Sequence, residues 1–200
     1  NDSIIFSVDE VTQNEPITQD GDTIALINQD NSNPTKSATT DNPEAIYTAS
    51  SDFGTTKGDV TIKGATSTTT STDENGNQTT TVNTSTIDLG NTHTGFKLND
   101  NNTTTNPTNN TTLTLDTVKI INPKDEAGSV IDNEYGVINL KDVLVEGEDI
   151  NSILNNGDMN LSGNNTLNTN VLNSGTINLN DGELSLGTKG ILISNDNSIA

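Results

Sequence analysis

The sequence predicts an all-β chain: a single-stranded, right-handed parallel β-helix, a solenoid with long polar loop insertions in its N-terminal half. Three observations predict it. One phrase occurs three times, as Gly136-Val-Ile-Asn-Leu140, Gly157-Asp-Met-Asn-Leu161 and Gly175-Thr-Ile-Asn-Leu179, and such recurrence marks a repeat architecture. Within the phrase apolar and polar residues alternate, which is the period of a strand and not of a helix. An apolar pair precedes each glycine, Val130-Ile131, Ile153-Leu154 and Val171-Leu172, and supplies a second buried face. A repeat of this length cannot be one strand at about 3.3 Å per residue, so each unit turns several times. Coils about 4.8 Å apart that pair in parallel satisfy these facts, and parallel crossovers are right-handed by strong preference.

The phrase continues upstream in degraded form as Val60-Thr-Ile62, Ile87-Asp-Leu89 and Leu113-Thr-Leu115. The first apolar residues fall at 60, 87, 113, 138, 159 and 177, in steps of 27, 26, 25, 21 and 18. Leu113, Leu115, Val118 and Ile120 also match Ile138, Leu140, Val143 and Val145 at a constant offset of 25. Stacking places Val60, Ile87, Leu113, Ile138, Met159 and Ile177 in one inward column. Ile62, Leu89, Leu115, Leu140, Leu161 and Leu179 form the other. The intervening Thr61, Asp88, Thr114, Asn139, Asn160 and Asn178 then face outward, towards water. Gly136, Gly157 and Gly175 follow polar turns, where a positive φ is most easily accommodated, and Glu134 and Tyr135 lengthen the first of these turns by two residues.

In chain order, residues 1–19 read as an N-terminal cap, with the apolar stretch Ile4 to Val11 as a short strand or helical turn over the first coil. Residues 20–200 read as coils, loosely repeated over 20–110 and regular over 111–200. Asp20 to Ile27 is a turn signal followed by an alternating strand. Residues 28–43, punctuated by Pro34 and Pro43, form a loop, and Ala45-Ile-Tyr47 a short strand. Thr66 to Thr86 is Thr-rich, with a turn at Asp73-Glu-Asn-Gly-Asn77 between two extended arms. It reads either as a hairpin-like excursion or as a low-complexity loop. Residues 99–110, around Pro107, are a second polar excursion.

A hydrophobic fraction of 28%, an aromatic fraction of 2% and a net charge of −20 would fit disorder, but the sparse aliphatics fall in register. A narrow core needs few of them. There is no cysteine, so neither disulfides nor thiolate metal sites are available. With no arginine and 28 acidic residues, nucleic acid and anionic membranes are disfavoured partners. No apolar run approaches the roughly 20 residues of a membrane span. A start at Asn1 without Met or a basic leader, and an end within the pattern, read as a piece of a longer, exported protein.

Asp20-Gly-Asp-Thr-Ile24, Asn155-Asn-Gly-Asp-Met-Asn-Leu161 and Asn173-Ser-Gly-Thr-Ile-Asn-Leu179 resemble autotransporter passengers and related adhesin-like β-helix proteins. The resemblance covers about residues 20 to 200, most clearly 111 to 193. It implies a right-handed β-helix displayed outside a microbial cell, at its surface, where such proteins mediate adhesion. The implied partner is a protein or glycan on a host or partner cell.

β-Helices also include polysaccharide-degrading enzymes, the alternative reading, together with a purely structural spacer. A lyase would call for a strong base, commonly arginine, beside acidic metal ligands. A hydrolase needs two carboxylates, but with no Trp and only Tyr47 and Tyr135 there is no aromatic sugar platform. His93 is the single histidine and reads as an exposed turn residue. The expectation is therefore a non-enzymatic segment with no catalytic, cofactor-binding or metal-ligating residue. Calcium is the one ion the composition would serve, through oxygen ligands at Asp20–Asp22, Asp73–Asn77, Asn99–Asn101 and Asn180–Glu183. None has the EF-hand spacing, and they read as solvated acidic turns. A Thr-ladder, ice-binding face is disfavoured because the outward column changes to Asn. Contacts are expected on the loops at 28–43, 66–86 and 99–110.

Overall fold

The structure, a computed structural model, describes residues 3–6, 11–13, 23–26, 46–49, 51–56, 58–98, 111–147, 152–188 and 190–194. Among the described residues there is no helix, and all regular elements are strands. The chain opens with β1 (Ser3–Phe6) and β2 (Val11–Gln13), then β3 (Thr23–Leu26) and β4 (Ile46–Ala49). Next come β5 (Gly54–Thr55), β6 (Asp59–Lys63), β7 (Thr66–Thr72), β8 (Gln78–Thr84) and β9 (Thr86–Asp88). Three dense groups follow: β10 (Phe96–Leu98), β11 (Thr112–Asp116) and β12 (Lys119–Ile121); β13 (Ile131–Asn133), β14 (Val137–Lys141) and β15 (Leu144–Glu146); β16 (Ile153–Asn155) and β17 (Asp158–Asn168). Last are β18 (Val171–Asn173), β19 (Thr176–Ser185) and β20 (Leu192–Ser194).

These strands form three parallel runs. One is the six-stranded sheet β5-β10-β13-β16-β18-β20. The second runs β1-β3-β6-β11-β14-β17, and the third β2-β4-β9-β12-β15-β17. The second and third make one curled sheet because β17 bridges them: its first half pairs with β14 and its second half with β15. β19 follows β17 along both halves, with a register irregularity between Leu161 and Gly163. Apart from β7 with β8, every described pairing is parallel. The strands β1 and β2 of the segment expected as a cap extend the second and third runs by one more strand each.

The dense register is the expected one. Leu113, Ile138, Met159 and Ile177 stand in line, as do Leu115, Leu140, Leu161 and Leu179, and Ile120 stands beside Val145. All but Leu179 are buried. Leu179 is 43% exposed, because no described strand covers β19 in the second run. Upstream the expected column fails at one place. Val60 pairs directly with Leu113, whereas Ile87 lies in the third run between Tyr47 and Ile120. The β7–β8 excursion lengthens the chain within a single pass. β9 therefore shares the apolar-polar-apolar pattern of β6 without being a further copy of it.

The first run carries a feature that apolar patterning missed. Ile131, Ile153 and Val171 are in register, and so are Asn133, Asn155 and Asn173. Both members of the first expected apolar pair, Val130 and Ile131, are buried, but in the other two the second member, Leu154 and Leu172, is aligned with Asp132 and only half-buried. The fully buried position is the asparagine. Asn133 Nδ2 donates to Asn155 Oδ1 at 2.8 Å, and Asn155 Nδ2 to Asn173 Oδ1 at 2.7 Å. Each amide also closes its own corner, with Nδ2 donating to the Gly136, Gly157 and Gly175 carbonyls. A buried amide keeps its place only when it is hydrogen-bonded, and this ladder meets that demand along the stack. In register the first corner is longer than the next two by one residue, not two.

This packing also gives the reason for the repeated glycine. Gly136, Gly157 and Gly175 do not have positive φ. A Cβ on Gly157 would overlap the Gly136 carbonyl oxygen and stand 2.8 Å from Asn133 Nδ2, and one on Gly175 would overlap the Gly157 carbonyl oxygen. Glycine is needed there for close approach of stacked corners. The left-handed conformation lies at a different corner, where Thr117, Asp142 and Gly163 have φ of 59°, 54° and 64°.

The outward column is a second ladder rather than a free polar edge. Asn160 Nδ2 donates to Asn139 Oδ1 and Asn178 Nδ2 to Asn160 Oδ1, each at 2.9 Å, and Asn139 Nδ2 donates to Thr114 Oγ1 at 3.2 Å. These residues are half-buried, not open to water. Nearer the N-terminus, Tyr47, Phe53 and Phe96 are buried in the core, with ring centroids 5.6 Å apart for Tyr47 and Phe53 and 4.7 Å for Phe53 and Phe96. Burial pushes the Tyr47 hydroxyl above its ordinary pKa.

Candidate functional site

Between β6 and β9 the chain leaves the parallel runs and returns to them as a two-stranded antiparallel hairpin. The arms are β7 and β8, in register from Thr66 opposite Thr84 to Thr72 opposite Gln78. Thr favours extended backbone, and seven residues per arm give a ribbon about 24 Å long. Of the two readings of this tract, hairpin or low-complexity loop, the hairpin is the one adopted.

Its base is tied down by Ser85, which is fully buried. Ser85 N donates to the Ala65 carbonyl and Ala65 N to Ser85 Oγ, both at 2.9 Å. Lys119 N donates to the Ser85 carbonyl at 2.8 Å, joining the base to the third run. Ser85 and Thr86 thus belong to the body, and the excursion ends at Thr84. Gly64 just below is required for space, since a Cβ there would lie 2.6 Å from Ser85 Cβ.

The tip is organised by one carboxylate. Asp73 Oδ1 accepts from Asn75 N at 2.9 Å and Asn77 N at 2.8 Å, while Oδ2 accepts from Asn77 Nδ2 at 2.9 Å. Gly76, with φ of 82°, closes the turn. Hydrogen bonds led by that from the Asn77 side chain hold the Asp73 carboxyl below the ordinary carboxylate range. A depressed folded pKa means that the stabilisation is present above the unfolded value of about 3.9 and is lost as pH falls through the folded one. Backbone amide shifts of Asn75 and Asn77 are expected to move together at a pH below that of exposed carboxylates. Titration of these amides at the ordinary carboxylate pKa would contradict the clamp.

The two faces of the arms are chemically unusual for this chain. Nine Thr and two Ser make up most of the fourteen arm residues, and none is charged, although the whole protein carries −20. Most are exposed, and Val82 is 64% exposed. Thr70 Oγ1 and Thr80 Oγ1 meet at 3.4 Å, and Asn83 Nδ2 donates to Thr69 Oγ1 at 3.1 Å. The remaining hydroxyls line an uncharged surface fitted to hydrogen bonding. Charge returns on the body, where Lys63 and Lys141 flank Asp116 at 3.9 Å and 3.5 Å; such exposed pairs contribute at most about 1 kcal/mol each.

His93 is placed differently from expectation. It lies in a turn but is half-buried, with Nδ1 3.6 Å from Asp52 Oδ1. Asp52 also accepts from Thr94 N at 2.8 Å, and this bond first of all, with the His93 charge a smaller cause, holds its carboxyl low. Lys124 N donates to the His93 carbonyl at 3.2 Å, and Lys124 Nζ pairs with Glu126 at 2.7 Å. The arrangement joins three segments of chain and is a structural clasp.

Among the described residues no group of three or more His, Cys, Asp or Glu side chains is placed to hold a metal, and no helix is long and apolar enough to cross a membrane. Asn180–Glu183 lies within β19. The acidic turns Asp20–Asp22 and Asn99–Asn101, and the loops 28–43 and 99–110, lie outside the described residues. Comparison of the chain with protein-family models, curated proteins and solved structures finds no match.

Proposed function

We propose that this chain is a non-enzymatic segment of an extracellular adhesin at a microbial cell surface. Its three parallel runs act as the faces of a single-stranded, right-handed β-helical stalk. The β7–β8 hairpin is the contact element, joined in that role by the loops 28–43 and 99–110. Three matters support the reading. The chain visits the runs in the same order on each dense pass, as the winding of a β-helix requires. The sequence resembles autotransporter passengers in its repeated corners. The observation that carries it is the hairpin: an ordered, uncharged, hydroxyl-rich ribbon on a body of high negative charge. Such a ribbon adds nothing to the core, and its arms hold no titratable group for catalysis. Its chemistry suits recognition of a neutral partner, a glycan or a protein strand on another cell. The segment takes no cofactor in this reading, since the one candidate calcium turn with a described clamp, at Asp73, uses its carboxylate oxygens on its own amides.

The test replaces residues 66–84 by a short turn joining Ala65 to Ser85, whose mutual hydrogen bonds keep the ends together. Far-UV circular dichroism and the thermal midpoint should stay close to those of the parent, because no core column uses these residues. Attachment of the displayed protein to cells or glycans should fall. Unchanged attachment would make the segment a spacer.

A further inference from the structure

The hairpin has two outer edges, and among the described residues neither arm pairs with a third strand. Unpaired edges are templates for strand addition, and proteins normally guard them with charge, proline or a bulge. Here the guards are absent: the arms contain no Lys, Asp, Glu or Pro, and their register is unbroken. Of the two arms only β8 carries an apolar side chain, Val82, which is left 64% exposed. Thr68, opposite Val82 on the other arm, leaves that face uncovered.

We infer that the outer edge of β8 pairs with the same edge of a second copy of this chain, antiparallel and centred on Thr81, to make a four-stranded sheet across a two-fold axis. The inference rests on the hairpin being the contact element and names its partner. Three observations select this occupant. The arms offer no charge, so a partner edge must also be neutral and extended, and β8 itself meets that description. About the centre Thr81, Val82 of each copy faces Thr80 of the other, so that its methyls gain cover in both at once, as an isologous contact requires. Antiparallel seating also separates the two acidic tips at Asp73 and Glu74 by about the length of a ribbon, well beyond the roughly 8 Å screening length at physiological salt. Each tip then lies towards the other copy's hairpin base, where Lys63 stands three residues before Thr66. Parallel seating would instead bring the like-charged tips together.

Two bodies of charge −20 repel, and salt weakens that repulsion while leaving backbone pairing intact. Dimerisation should therefore strengthen as salt rises, opposite to the behaviour of an ion-pair interface. The experiment is sedimentation velocity of the full chain over a series of protein concentrations, from about 20 mM to about 500 mM NaCl. A monomer–dimer equilibrium should appear and shift to dimer at the high-salt end, with a change of at least about tenfold in dissociation constant. Thr81→Lys and Thr81→Glu should each be monomeric, since like charges then meet across the axis, and an equimolar mixture should recover the dimer. Circular dichroism should be the same for both variants, as Thr81 is exposed on the excursion. A chain that stays monomeric throughout, or a dimer that survives Thr81→Lys, would overturn the inference. If the chain is monomeric but loss of residues 66–84 still abolishes attachment, the hairpin binds another partner and only the self-pairing fails. If the dimer forms but attachment ignores the hairpin, the self-pairing stands and the adhesive role fails.

Discussion

Leu161→Asp is expected to destabilise the protein by about 4 kcal/mol or more, among the largest effects open to a single substitution here. Leu161 is fully buried and stands in register between Leu140 and Leu179. A carboxylate at that place enters an apolar column one side chain wide, where neither water nor a cation can reach it. Asn160→Asp, one residue away, provides the contrast. Asn160 donates to Asn139 and accepts from Asn178. The substitution keeps the accepted bond but sets an oxygen against Asn139 Oδ1, at a half-buried position. A loss of about 1 to 2 kcal/mol is expected. Urea unfolding followed by circular dichroism measures both. Equal losses would mean that the inward and outward assignment of this strand is wrong.

A comparable loss, about 3 to 5 kcal/mol, is expected for Asn155→Asp. Asn155 is completely buried. Its Oδ1 accepts from Asn133, while its Nδ2 donates to Asn173 Oδ1, Gly157 O and Thr176 O at 2.7, 3.2 and 3.1 Å. A carboxylate would turn a lone pair towards three acceptors in a site without water access. Burial and these acceptors push the new carboxyl above its ordinary value of about 3.9. An acid whose folded pKa is raised destabilises fully above that folded value, and the loss is relieved as pH falls through it. Once protonated, its hydroxyl can donate to Asn173 Oδ1 again. The difference in unfolding midpoint between variant and parent should narrow as pH is lowered from about 8 to about 5. A difference independent of pH would show that the ladder is not the reason for the loss.

Both substitutions lie in the dense part of the chain, where the pattern was legible. Period-two alternation identified Ile138, Leu140, Met159 and Leu161 as core, and the offset of 25 between Leu113 and Ile138 named a true neighbour. Those assignments needed only local alternation and recurrence, because a parallel stack puts equivalent residues of successive passes side by side. The hairpin was legible in part. Its turn residues Asp73 to Asn77 announced a reversal between two Thr-rich arms, as a hairpin needs, but the same composition also fits a low-complexity loop, with only Val82 to bury.

Tertiary structure decided the rest. Ile87 has the alternation of β6 yet belongs to another run, since periodicity records which residues turn inward and not which sheet they join. Asn133, Asn155 and Asn173 look like turn residues, as polarity suggests, and become core only because each finds the next amide at hydrogen-bond distance. Their recurrence two or three positions before each glycine was a signal available in the sequence. The glycines themselves were singled out for the wrong physical cause: the constraint is a neighbouring backbone, which does not exist until the corners stack. His93 and Asp52, far apart in sequence, meet for the same reason. By itself the sequence determined the strand class and, from Leu113 onward, the inward columns and their spacing, all of which follow from side-chain alternation along one chain. Which strands share a run and which amides are buried were decided by contacts between passes, and the ribbon with open edges by the pairing of the two Thr-rich arms with each other.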